Sequence, residues 1–319
     1  MQSIQVKIVV SCVLCVISIC GAAQDETSAH RDGTTNPPSQ DFSGISSGIE
    51  AINRRDWDMT ISNLTVEISK NPSNALAYEY RGSAWFAKGE WKRAVADYSE
   101  VIQIEPRNGR AYFNRASAYR SAGQYERAMD DVSTSLSLRP TDHLAYKLRA
   151  SLHSFRGEFT QAISDWTAGL RIGPDDSNAL ACRGADYAQL GRFQEALRDY
   201  REAIGLNEKD SLAFNNLAWL RATCPHSEWR DAKEATSAAL KACELTDWKK
   251  PEWIDTLAAA FAEAGDFEQA TAYQEKALSA EGITEDDRRE MLERLSLYRQ
   301  GHEYRTRVSS DARTGKATD

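Results

Sequence analysis

The chain has 319 residues, 41% hydrophobic and 27% charged, which is enough apolar material for a large core. Its 39 basic and 47 acidic side chains leave a formal charge of −8 with no basic stripe, which argues against nucleic acid as the main partner.

The N-terminus reads as an export signal. Lys7 supplies a positive start, Ile8 to Ile19 is an apolar run broken only by small residues, and Gly21-Ala22-Ala23 offers a cleavage site. Residues 1–23 are expected to be removed, leaving the protein periplasmic or extracellular. The run is short for a membrane span, which needs ~20 residues, and an uncleaved N-terminal anchor is the alternative. Residues 24–41 are polar and aperiodic and read as a disordered linker. Cys12, Cys15 and Cys20 fall within the signal. Cys182, Cys224 and Cys243 remain, without metal-site spacing. Cys182 reads as a small core residue. A simple hairpin holds Cys224 and Cys243 ~15 Å apart, from 1.5 Å rise per residue. A disulfide needs less than ~7 Å between Cα atoms, so only a folded-back insertion could join them.

From residue 42 to 281 one spacing rules. Pro72, Pro106, Pro140 and Pro174 stand 34 residues apart, as do Gly89, Gly123, Gly157 and Gly191, and Ala94, Ala128, Ala162 and Ala196. A fixed period of this length marks a repeat array. In residues 75–108, Tyr78, Gly82 and Trp85 share one face of a first helix, and Gly89 breaks it. Trp91, Ala94, Tyr98, Val101 and Ile104 line a second helix, and Pro106 stops it. The repeats run over about 41–74, 75–108, 109–142, 143–176, 177–210, 211–250 and 251–281, with about five extra residues around Cys224 to Trp229. Residues 284–300 read as a capping helix: Thr284 is the N-cap, Met291, Leu292, Leu295 and Tyr298 form its inner face, and charged residues cover the rest. Residues 306–319 read as a disordered tail.

This pattern resembles the tetratricopeptide repeat family, on Tyr112, Ala116, Tyr119, Gly123, Tyr125, Ala128 and Pro140 and their counterparts in the neighbouring units. The run Asn215 to Pro225, with Lys241 to Thr246 and Asp255 to Ala260, is similar to the C-terminal end of exported tetratricopeptide proteins of planctomycete-type bacteria. The resemblance implies an all-α, right-handed α-solenoid of about seven antiparallel helix-turn-helix repeats, and a role in protein interaction.

A second period accompanies the first. Arg81, Arg115, Arg149 and Arg183 occupy the place where the family usually has leucine, and Asp97, Asp131, Asp165 and Asp199 follow sixteen residues after each. A structural ladder of Arg–Asp pairs is expected, and a line of arginines reading acidic ligands is the alternative. The ladder stops at both ends of the array.

No catalytic constellation stands out. The histidines His30, His143, His153, His226 and His302 are scattered, and no HExxH, phosphate-binding loop or GxSxG occurs. His153 reads as a packing residue. The protein is therefore expected to be neither an enzyme nor a holder of a metal or cofactor. Stacked helical pairs leave a concave face lined by first helices. Glu79, Phe86, Arg110, Phe113, Arg120, Lys147, Phe155 and Trp219 are expected there, with the last unit made acidic by Glu252, Asp255 and Glu263. Phe113, Phe155 and Trp219 are the expected apolar anchors. The expected function is a scaffold binding a protein or extended peptide. A carbohydrate or envelope-polymer module and a structural spacer are the alternatives.

Overall fold

The structure, a computed structural model, describes residues 43–306. The expected signal, the linker and the tail beyond Thr306 lie outside the described residues. Every regular element described is helical, fifteen α-helices and one short 3₁₀ turn. The fold is all-α, of the helical-repeat solenoid class. Contacts divide it into two compact units, residues 43–152 and 153–306.

The first unit holds α1 (Ser43–Asn53), α2 (Trp57–Lys70), α3 (Ala75–Ala87), α4 (Trp91–Ile104), α5 (Gly109–Ser121) and α6 (Tyr125–Leu138). Helix α7 (His143–Phe155) begins in it and ends in the second unit. The second unit continues with α8 (Phe159–Ile172), α9 (Ser177–Gln189), α10 (Phe193–Leu206) and α11 (Ser211–Thr223). Then come the 3₁₀ turn Ser227–Trp229, α12 (Ala232–Leu245), α13 (Pro251–Glu263), α14 (Phe267–Leu278) and α15 (Glu285–Arg299).

Local chemistry sets these boundaries. Helices α3, α5, α7, α9 and α11 each follow an N-cap, Asn74, Asn108, Asp142, Asp176 or Asp210, whose side chain accepts a hydrogen bond from the amide three residues on. The second helices α2, α4, α6 and α8 all end two residues before Pro72, Pro106, Pro140 or Pro174. The turn inside each hairpin needs a left-handed residue. Gly89, Gly123, Gly157 and Gly191 supply it at φ between 72° and 77°. In the first hairpin Arg55 takes that place at φ 57°, so a residue with a Cβ carries the strain.

Small residues let the paired helices approach. A Cβ built on Gly82 would lie 2.9 Å from Tyr98 Cε1, and one on Gly184 would lie 2.6 Å from Tyr200 Cε1. The aromatic rings of the second helices therefore fill the space that glycine leaves. In each unit the first helices touch one another as well as their own partners: α1, α3 and α5 in one, α9, α11 and α13 in the other. The second helices approach each other less closely, which curves each unit with its first helices inside.

The five-residue excess folds as a compact corner. Trp229 and His226 pack on Phe193, and Arg221 donates to Trp229 O at 2.9 Å and to Glu234 Oε2 at 2.6 Å. Cys224 and Cys243 are buried and unbridged. Two details of α15 differ from the expected cap. Leu292 is 50% exposed, whereas Arg294 is buried, because its guanidinium closes on Asp255. Among the described residues, no helix is long and apolar enough to cross a membrane.

Candidate functional site

The arginine positions form pairs that also tie one hairpin to the previous one. Arg81 donates to both oxygens of Asp97 (2.9 and 2.7 Å) and Arg115 to both of Asp131 (2.7 and 2.9 Å). In the second unit Arg183 binds Asp199 in the same bidentate way (2.7 and 3.0 Å). Each remaining Nη1 donates backwards along the chain, to Thr65, Ser99 and Thr167 respectively, at 3.0–3.2 Å. Those hydroxyls lie sixteen residues before their arginines, as the aspartates lie sixteen after. Arg149 and Asp165 fall in different units. The guanidiniums of Arg81, Arg115 and Arg183 are engaged with the protein itself and are not directed at a ligand.

The expected groove residues of the first unit do not share one environment. Phe113 is not a groove anchor: it is 6% exposed and packs in the core with Ala116, Val132, Leu136 and Leu148. It lies one helical turn from Ala116 and turns inward with it. Glu79 and Arg110 pair at 3.0 Å, and Asn114 donates to the same carboxylate at 3.4 Å. Burial raises the Glu79 carboxyl above its ordinary range, against the pull of Arg110. Phe86 meets Trp91 edge to face at 5.0 Å. Lys147 is half-buried. Arg120 is half-buried, with Nη1 enclosed and without a hydrogen-bond partner, and burial lowers its basicity.

In the second unit Phe155 is exposed and Trp219 is half-buried, with the chain's own end packed against it. Gly301, at φ 72°, reverses the chain after α15, and His302 N donates back to Leu297 O at 3.0 Å. Residues 303–306 then run without regular structure onto the face of the first helices. The Tyr304 ring lies 5.8 Å from that of Trp219 on α11. Thr306 donates its amide (2.9 Å) and its hydroxyl (3.0 Å) to Thr223 O, and Arg305 donates to Ala222 O at 3.3 Å. Those carbonyls belong to the last turn of α11, where no intrahelical donor remains and the helix dipole is negative. Arg305 Nη2 also lies 2.7 Å from Glu263 Oε2 at the end of α13. The sequence ends the capping helix at Gly301 and starts the disordered tail at Thr306, because these residues carry no periodicity, whereas Thr306 is held on α11. The aromatic–basic pair Tyr304-Arg305, opposite Trp219 and Glu263, was the available signal.

Asp255, expected on the acidic face, is instead buried at 4% exposure and held bidentate by Arg294 (2.8 and 2.9 Å), with Gln274 donating at 2.7 Å. Burial works against the charge on Arg294, and the Asp255 carboxylate outweighs it, holding the guanidinium above its ordinary range. The Arg294 guanidinium stacks on both Trp219 (5.6 Å) and Tyr304 (5.3 Å). His153 is more than packing: its Nδ1 lies 2.6 Å from Glu158 Oε2. Asp186 is a buried carboxylate that the sequence did not flag. It accepts from Ser154 Oγ at 2.6 Å and Trp166 Nε1 at 2.8 Å, and burial pushes it up to about 7. Among the described residues, no group of three or more His, Cys, Asp or Glu side chains is placed to hold a metal ion.

Family models for the TPR repeat match residues 82–121, and models for the tetratricopeptide repeat match 109–142 and 177–210. No curated protein matches the chain. Among solved structures, the APC/C hetero-tetramer Cut9–Hcn1 is 15% identical, with a TM-score of 0.63 over 89% of this chain and 52% of that one. A tetratricopeptide repeat protein from Parabacteroides merdae is 18% identical, with a TM-score of 0.57 over 79% and 96%. MamA from Desulfovibrio magneticus is 14% identical, with a TM-score of 0.50 over 52% and 94%. At these identities the shared property is the fold. The matched repeats, the left-handed glycine turns and the glycine-on-aromatic contacts agree: this chain carries tetratricopeptide repeats over residues 82–142 and 177–210.

Proposed function

We propose that the protein is a non-catalytic interaction scaffold that binds a protein or an extended peptide on the inner face formed by the first helices of its hairpins. The observation that carries this reading is the course of residues 303–306, an irregular segment accepted by the inner face of the second unit through Trp219, the end carbonyls of α11 and Glu263. A surface that accommodates its own extended chain has the shape and the hydrogen-bonding groups to take another. The helices are fixed by their hairpin partners, so binding costs little ordering on the scaffold's side. Export, supported by the charged-then-apolar first 23 residues, belongs to the same reading.

Site-specific photocrosslinking in cells that express the protein tests it. A photoreactive residue at Phe155, on a first helix, is expected to trap a partner. The same group at Leu206, exposed at the end of the second helix α10, is expected to trap none. Equal trapping at both places, or trapping at Leu206 alone, contradicts the reading.

A further inference from the structure

The end of the described chain is not required to complete the core of the second unit. Tyr304, Arg305 and Thr306 are all half-buried. The charges they touch have other partners. Glu263 is also bound by Arg230, from the corner after α11, at 3.0 Å, and Arg294, which lies over the Tyr304 ring, stays paired with Asp255. Lifting the segment away therefore strands no buried charge, which is the costly outcome when an ion pair is broken. The carbonyls of Ala222 and Thr223 would pass to water or to another donor. The present occupant also fits imperfectly: Glu263 Oε2 lies 2.7 Å from Arg305 Nη2 yet receives no well-aligned hydrogen bond. A better-placed guanidinium would find that oxygen free.

The features that receive the segment define a ligand chemistry. Trp219, with the Arg294 guanidinium stacked on it, offers a flat platform for an aromatic ring. One residue further along the bound segment stand Glu263 and the negative end of α11, which select a guanidinium. Beyond that, Thr223 O accepts a backbone amide, which fixes the peptide's direction without choosing a side chain.

We propose that Tyr304-Arg305-Thr306 is a tethered surrogate for an external ligand, and that this ligand is an extended segment of another protein carrying an aromatic residue followed directly by arginine. The proposal rests on the inner-face reading above and adds to it the ligand class and a built-in competitor. Because the surrogate is tethered, it competes at an effective concentration on the order of millimolar. The intact site therefore answers only to a ligand that binds better or arrives at several contacts at once.

The test uses the full chain, wild type and Tyr304→Ala/Arg305→Ala, with Arg305→Ala alone as a second variant. Circular dichroism and the thermal melt establish that each is folded. The probe is a labelled peptide of the sequence Gly-His-Glu-Tyr-Arg-Thr, followed by fluorescence anisotropy. Both variants are expected to bind it at least ~10-fold more tightly than wild type, as removal of a tethered competitor requires, and addition of Trp219→Ala is expected to abolish the gain. Equal affinity for wild type and variants overturns the surrogate role. Selection from a random hexapeptide library on the double variant separates the two levels of the argument. Enrichment of aromatic–arginine pairs supports the ligand class. Enrichment of an unrelated motif that Trp219→Ala abolishes overturns this proposal and leaves the inner-face reading standing. No enrichment at all overturns both.

Discussion

Arg183 and Asp199 hold each other through two parallel hydrogen bonds of 2.7 and 3.0 Å, with the carboxylate fully buried. The guanidinium is half-buried and spends its third nitrogen on Thr167 Oγ1, so one side chain joins three successive helices, α8, α9 and α10. The same geometry recurs at Arg81 and Arg115. Repetition of one charged clamp at the period of the fold explains why a guanidinium can replace the leucine that the family resemblance implies at this place.

Arg183→Ala removes the arginine that holds Asp199 bidentate and leaves a buried carboxylate with only the exposed Arg198 Nη2 nearby, at 3.5 Å, among the described residues. The expected loss is about 3 kcal/mol, with a lower Tm. The double change Arg183→Leu/Asp199→Leu is expected to cost less than the single one, since it removes the stranded charge together with its partner. A single variant that melts with wild type would show that the clamp has no structural role.

Gly184→Ala and Gly123→Ala distinguish two uses of glycine. The first drives a Cβ to 2.6 Å from the Tyr200 ring inside the hairpin, with an expected cost of about 2 kcal/mol from overpacking. The second meets no atom within 4 Å and costs only the left-handed backbone, about 1 kcal/mol. Denaturant midpoints of the two variants measure both. Gly123→Ala as the more damaging change would contradict the packing account.

Much of this architecture could be read from spacing, because a repeat writes each structural requirement several times. Pro106, Gly89, Ala94 and the Arg–Asp offset each recur at one interval, and helix ends, turns and the ladder follow from them. The N-caps Asn74, Asn108, Asp142, Asp176 and Asp210 share that interval, as do Thr65, Ser99 and Thr167 within theirs, yet short polar residues are common enough to pass unnoticed. What spacing could not supply was the part of the molecule that does not repeat. Phe113 was assigned to the groove from its helical phase alone, and one turn of tolerance placed it in the core. Arg294 falls among the charged residues outside the apolar face of α15, while its partner Asp255 lies 39 residues away. The return of residues 302–306 has no periodicity to detect, only chemistry that matches a distant tryptophan and glutamate.

Asp186 makes stability depend on pH in a direction opposite to that of a salt-bridged carboxylate. Its folded value, about 7, lies above the ordinary 3.8, so the folded state holds the proton more tightly. Its contribution is complete below about pH 4, declines as pH rises towards 7, and is flat above that, a span on the order of 4 kcal/mol. Denaturant unfolding at pH 5 and pH 8 is expected to show wild type losing stability between the two, and Asp186→Asn losing less. Parallel behaviour of the two proteins would remove Asp186 as the cause.

Cys224 and Cys243 are buried thiols, and burial pushes Cys243 up to about 12. A thiol so far from ionising is a poor nucleophile at neutral pH. Both are expected to resist maleimide in the folded protein and to react without prior reduction once it is unfolded, as mass spectrometry reads directly. Labelling that requires a reductant would establish a disulfide and a different packing of the corner after α11.

The central claim is that the first-helix face of the second unit is a ligand surface. Hydrogen–deuterium exchange of the full chain, alone and saturated with the partner trapped by crosslinking, addresses it most directly. The account predicts new protection along α9, α11 and α13 together with faster exchange at the Thr306 amide, as the ligand replaces the chain's own segment on Thr223. Protection confined to the second helices α10, α12 and α14, with the Thr306 amide unchanged, would contradict it.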